Sequence, residues 1–154
     1  MTKCKCFTVA AIAFLFIAGC AKETTPTKTM FVESIPSADT LIVEGQGKQQ
    51  RVRLCGVEVP KAQMQQAKKL LQTLVDPAEG WVVVWPMKMT NKGELIAEVY
   101  APVPGKRDEE KSLNGELLAM GLAKVSAEKC SNREAFESAE QDAKERRVGI
   151  WKMR

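Results

Sequence analysis

Ser37-Ala38-Asp39-Thr40-Leu41-Ile42-Val43, the turn Gly45-Gln46-Gly47, and Arg51-Val52-Arg53-Leu54-Cys55-Gly56-Val57-Glu58-Val59-Pro60 together decide the fold reading. Two β-rich runs flank a glycine turn, which is a hairpin signal. In the second run Val52 and Leu54 alternate with Arg51 and Arg53, so one face is apolar and the other carries guanidinium groups. Pro60 stops the run and a helical pattern follows it. Asp39, Arg53 and Glu58 are thereby expected on one exposed face.

Outward from the hairpin, Met30 to Ile35 is another β run, expected to pair with it. Ala67, Leu70, Leu71 and Leu74 lie at helical spacing, and Asp76-Pro77 with Gly80 end that helix. Trp81 to Trp85 and Leu95 to Ala101 read as strands, the first closed by Pro86. Pro102 to Lys111 reads as an exposed charged loop. Ser112 opens a second helix carrying Leu113, Leu117 and Leu118, with Gly121 as its stop. Ser131 followed by Glu134 is a capping-box signal for a third, bearing Phe136, Ala139 and Ala143. The order β-β-β-α-β-β-α-α suits a small five-stranded barrel of the OB type with three helices outside, a β+α fold. Trp81, Trp85 and Trp151 are expected in the core or closing the barrel, and Lys144 to Arg147 on a solvated helix face.

The amino end has a different character. Lys3 and Lys5 precede an apolar run from Phe7 to Ile17, which ends in Ala18-Gly19-Cys20. A basic start, a short apolar run and small residues before a cleavage point describe a secretory signal. Ile17-Ala18-Gly19-Cys20 resembles the bacterial lipoprotein box, which implies removal of residues 1–19 and lipid on Cys20. Ala21 to Thr29 is polar and non-periodic, a tether, so that 20–29 links lipid to a domain at 30–154. The expected location is the cell envelope. Ala21 rather than Asp after the cysteine favours an outer membrane, with the domain facing the periplasm in a Gram-negative cell.

Of five cysteines, Cys4 and Cys6 leave with the leader and Cys20 is lipidated. Cys55 and Cys130 remain, either bridged in an oxidising compartment or present as a buried thiol and a loop thiol. There is no histidine, which removes Ser-His-Asp and Cys-His catalysis. The formal charge of +4 falls to +2 without Lys3 and Lys5. Bulk charge therefore gives little support to nucleic-acid binding.

From Phe31 to Trp151 the chain resembles the staphylococcal nuclease (thermonuclease) family. The resemblance rests on Ala38-Asp39-Thr40, Arg53-Leu54 with Val57-Glu58-Val59-Pro60, Leu95 to Tyr100, Gly121-Leu122-Ala123-Lys124-Val125, and the run from Ala139 to Trp151. It implies an OB barrel with three helices. It also implies a calcium ion held by two aspartates and a carbonyl, a glutamate base, two phosphate-binding arginines, and tyrosines that hold the nucleotide.

Carried over by position, Asp39 matches the first metal aspartate, Glu58 replaces the second, and Val59 supplies the carbonyl; these would make at most a weak Ca²⁺ site. Arg53 matches the first arginine. Lys61 stands at the base position and Glu94 at the second arginine, while the tyrosine positions hold Ala127 and Lys129. A positioned base alone contributes about 10²–10⁴-fold to a rate. Lys61 and Glu94 either pair across the cleft or remain separate solvated charges. Arg53 has three candidate partners: Glu58, Glu94 or a phosphate. The expected function is a lipid-anchored, monomeric envelope module with little or no phosphodiesterase activity and an unknown protein partner. The alternatives are a weak Ca²⁺-dependent nuclease, with Glu58 or Glu94 as substitute base, and a nucleic-acid binder without turnover.

Overall fold

The computed structural model describes residues 27–152. The expected leader, Cys20 and the expected tether up to residue 26 lie outside the described residues. Lys28 and Thr29, expected in the tether, are already strand: β1 is Lys28–Ser37, followed by β2 (Thr40–Gly45) and β3 (Lys48–Leu54). β2 and β3 form the expected hairpin, with Thr40 opposite Arg53 and Gly45 opposite Lys48. Its two-residue turn has Gln46 and Gly47 at φ of 54° and 73°, the left-handed pair that matches the twist of the flanking strands.

A two-residue strand, β4 (Val57–Glu58), leads through Pro60 and a 3-10 turn (Lys61–Gln63) into α1 (Met64–Val75). Ala67, Leu71 and Val75 of α1 are buried, and Leu70 and Leu74 pack at the edge of the core. β5 (Trp81–Met89) runs through Pro86 rather than stopping there, and a register shift between Pro86 and Lys88 accommodates the missing N–H. β6 (Leu95–Pro102) follows. The segment read as a loop ends in a short strand, β7 (Glu110–Ser112), on β6. Then come α2 (Leu113–Ala119), β8 (Lys124–Val125) and α3 (Arg133–Glu145).

β3-β2-β1-β5-β6 are hydrogen-bonded in that order, and β3 pairs in parallel with β6. That pairing closes a five-stranded mixed barrel, with three helices around it. Leu41, Val43, Val52, Leu54, Val82, Val84, Ala97 and Val99 are fully buried, the inward halves of alternating strands.

Two expectations about helix ends meet different outcomes. Ser112 caps α2, its hydroxyl accepting from the Gly115 N–H at 3.0 Å. Ser131 does not cap α3. The N-cap is Asn132, and its side chain bonds elsewhere, to Glu98 and Tyr100. Glu98 is fully buried, and it accepts from the Asn132 N–H at 2.9 Å and from the Tyr100 hydroxyl at 2.8 Å. A buried carboxylate needs those donors more than the helix end needs its cap.

The tryptophans divide. Trp151 packs under Lys124 and Lys144, whose ammonium groups lie 5.7 and 4.6 Å from its ring centroid. Trp81 and Trp85 are not core residues: they stand on the outer face of β5 and are 49% and 40% exposed. Inward positions of β5 belong to Val82 and Val84, so the alternation leaves both rings outside. The helix face expected to be solvated is exposed at Glu145, Arg146 and Arg147, and two of its cations also make contacts. Lys144 pairs with Glu140, and Arg146 donates to the Ala119 carbonyl at 2.6 Å.

Candidate functional site

The end of the barrel where β3 gives way to β4 gathers the positions named by sequence. Arg53 is the last outward residue of β3. Asp39 lies across the β2–β3 ladder, its backbone carbonyl accepting from the Leu54 N–H at 2.8 Å. Glu94 is brought alongside by the turn between β5 and β6. Thr90 holds that turn, its N–H donating to the Glu94 carbonyl at 2.8 Å and its hydroxyl accepting from the Glu94 N–H at 3.1 Å. Gln50 donates to the Gly93 carbonyl at 2.8 Å and ties the same turn to β3.

Glu94 meets arginines, not Lys61. Its carboxylate lies 3.1 Å from Arg51 Nε and 3.4 Å from Arg53 Nε. Among the described residues Lys61 forms no ion pair; it is exposed on the turn that opens α1. The Lys61–Glu94 brace is therefore not formed. Glu58 does not reach Arg53 either. It is exposed on β4, in register with Lys124 of β8.

The partner that sequence reasoning missed is Glu128. Arg53 Nη2 donates to its Oε1 at 2.6 Å and Nη1 to its Oε2 at 3.2 Å, a two-pronged pair. The Gly56 N–H donates to the same carboxylate at 3.4 Å. Glu128 sits between Ala127 and Lys129, the positions where tyrosines were expected. The loop is held from both ends: Arg133 donates to the Ser126 and Glu128 carbonyls, each at 3.0 Å, and Cys130 is bridged to Cys55. Arg53 and Glu128 each precede a bridged cysteine by two residues, so ion pair and disulfide are neighbouring rungs between the same two segments.

The electrostatics follow from this arrangement. The hydrogen bond to Glu128 raises the Arg53 guanidinium against the opposing effect of burial, and the charges of Glu128, Glu94 and Asp39 add to it. Burial alone would raise the Glu128 carboxyl. Arg53, helped by the Gly56 N–H and Lys88, overcomes that and holds it below the usual carboxylate range. Three carboxylates, Asp39, Glu94 and Glu128, surround the two guanidiniums, and the Lys88 ammonium also acts on Glu128.

The donor set does not fit a calcium centre. The Asp39 carboxylate accepts from the Ser37 and Thr40 hydroxyls at 2.7 and 2.9 Å, both on Oδ1. Val59 packs against the core. Among the described residues no three Asp, Glu, Cys or His side chains gather where an ion could sit, and Ca²⁺ takes six to eight oxygens.

The staphylococcal nuclease homologue family matches residues 51–153. The chain belongs to that family. The match begins at β3, so β1, β2 and Asp39 lie ahead of it even though they complete its barrel. A search of curated proteins found no match. Membership makes the domain nuclease-related. Calcium dependence is typical of the family, whereas the local chemistry here is an arginine shared by carboxylates.

Proposed function

We propose that this nuclease-family barrel is a lipid-anchored, monomeric envelope module that does not hydrolyse phosphodiesters at a useful rate and engages a protein partner. The observation that carries this is the state of Arg53. A guanidinium that must stabilise a phosphorane has to present free N–H donors to it. Here the two outer nitrogens go to Glu128 and the inner one faces Glu94. Lys61 at the position for a base adds a second deficit, about 10²–10⁴-fold where that base is lost. The apolar leader with its Ala18-Gly19-Cys20 ending supports anchoring through lipid on Cys20. Ala21 supports sorting to an outer membrane, with the domain facing the periplasm.

The competing reading is a slow Ca²⁺-dependent nuclease, supported by family membership itself. An assay of the mature protein on single-stranded DNA, RNA and a chromogenic nucleotide ester, with Ca²⁺ and with chelator, separates the two. The expected outcome is no cleavage above blank in either condition. Chelator-sensitive cleavage that disappears in Arg53→Ala would establish the nuclease and sink the module. DNA retarded without cleavage, in a manner that fades as salt rises, would point to a nucleic-acid binder.

A further inference from the structure

The outer face of β5 presents Trp81, Val83 and Trp85 in a row, and its neighbours extend the row sideways. Phe31 of β1 lies opposite Trp81 in register and edge-on to it, with ring centroids 5.6 Å apart. Tyr100 of β6 lies opposite Val83 and packs on Trp85 at 5.8 Å. Phe31, Trp81 and Trp85 are 39%, 49% and 40% exposed. Aromatic area of this kind, contiguous and left in solvent, marks a contact surface. The rings have no part in the Arg53 cluster.

What covers it is indicated by where the chain joins the domain. β1 begins at Lys28, three residues before Phe31, and its first residues pair with Val84 to Trp81 of β5. The strand that receives the tether thus carries one edge of the aromatic face and hydrogen-bonds to the strand that carries its middle. Eight peptide units separate Cys20 from Lys28, a reach of at most about 28 Å. With lipid on Cys20, this side of the barrel cannot travel far from the headgroups. Tryptophan and tyrosine, apolar bodies with one polar edge, are the residues that settle at that depth.

We infer that the Phe31–Trp81–Trp85 face lies against the bilayer interface and fixes the orientation of the domain on the membrane. The inference rests on the Cys20 anchor proposed above. Glu44, opposite Phe31, flanks the face with negative charge, so the contact is with apolar and zwitterionic lipid rather than with anionic headgroups.

The test uses the full chain, processed in a bacterial host and reconstituted in phosphatidylcholine vesicles with plain or brominated acyl chains. Pairwise Trp→Phe substitutions leave Trp81, Trp85 or Trp151 as the single emitter. Bromine quenches only rings at the lipid. Emission from Trp81 and from Trp85 is expected to fall about twofold or more in brominated vesicles, with Trp151, under Lys124 and Lys144, unchanged. Flotation after an alkaline wash reads the anchor separately. Chains that float but show equal Trp81 and Trp85 emission in both lipids overturn the inference. So does a chain that runs at twice its mass in detergent with both rings shielded from iodide, since a second copy would then own the face. Chains that fail to float overturn the anchor and the inference with it.

Discussion

Arg53 stands where the family resemblance places a phosphate-binding arginine, and its partners here are carboxylates. Its guanidinium is held by Glu128 in two hydrogen bonds and shares Glu94 with Arg51. The pair is partly exposed, 27% and 21% by side chain, so solvent screens it and its contribution is about 1–2 kcal/mol rather than that of a buried bridge. Glu128 titrates below the ordinary glutamate value of 4.5. A group with a depressed folded-state pKa stabilises fully above its unfolded pKa, and that stabilisation is lost as pH falls through the folded value. Glu128→Gln should therefore lower the melting temperature near neutral pH, and the gap to the parent should close once the pH drops well below 4.5. Melting curves of both proteins across that range check this; a gap independent of pH would mean that the carboxylate charge is not what stabilises.

Elements are held by a few contacts between segments distant in sequence. The Cys55–Cys130 bridge closes a separation of 75 residues and joins the end of β3 to the loop before α3. Its removal should cost about 2–4 kcal/mol. Urea unfolding of Cys55→Ser/Cys130→Ser against the parent measures this, and reduction of the parent should shift its midpoint to that of the variant. Gly121 ends α2 at φ 63°, and a Cβ there would clash with the Val148 carbonyl oxygen. Its own carbonyl accepts from the Ile150 N–H at 2.9 Å, which docks the C-terminal turn Gly149–Trp151 against α2. Gly121→Ala combines a left-handed backbone with a backbone clash and should cost about 2 kcal/mol or more by thermal unfolding. A near-neutral result would show that the C-terminal turn can move away freely.

At the scale of the whole molecule, a buried side-chain amide ties together the two strands whose pairing closes the barrel. Asn114 of α2 is fully buried. Its Oδ1 accepts from the Val99 N–H at 3.0 Å, and its Nδ2 donates to the Cys55 carbonyl at 2.7 Å. It therefore joins β6 to the end of β3 just beyond the stretch where those strands pair in parallel. Asn114→Ala leaves two buried backbone groups without partners and should cost about 2–4 kcal/mol in chemical denaturation. Loss of amide-exchange protection at Val99 should accompany it. A small cost with protection intact would move the closing role to the β3–β6 ladder alone.

Much of this was legible in order of residues. Alternation in Arg51–Leu54, the glycine turn before it and the helical spacing of Ala67, Leu70, Leu71 and Leu74 are local patterns, and each element formed close to where its pattern lies. The carried-over positions of Asp39, Arg53 and Glu94 did come together, because β-ladder register is set by those same patterns. Glu128 was not legible, because its partner lies 75 positions away and no period connects them. The placement of Cys130 two residues on was the available sign, useful only once the bridge is known. Trp81 and Trp85, expected in the core or closing the barrel, stand outside, because the sheet's alternation, not the residue type, decides which face a strand side chain occupies. Composition and short-range spacing thus determined the strands and helices and suited them to a small barrel, while the family resemblance marked the positions of Asp39, Arg53 and Glu94. Only the fold in three dimensions decided which carboxylates hold Arg53 and which aromatic rings stay in solvent, since both depend on segments meeting across the chain, where no local preference reaches.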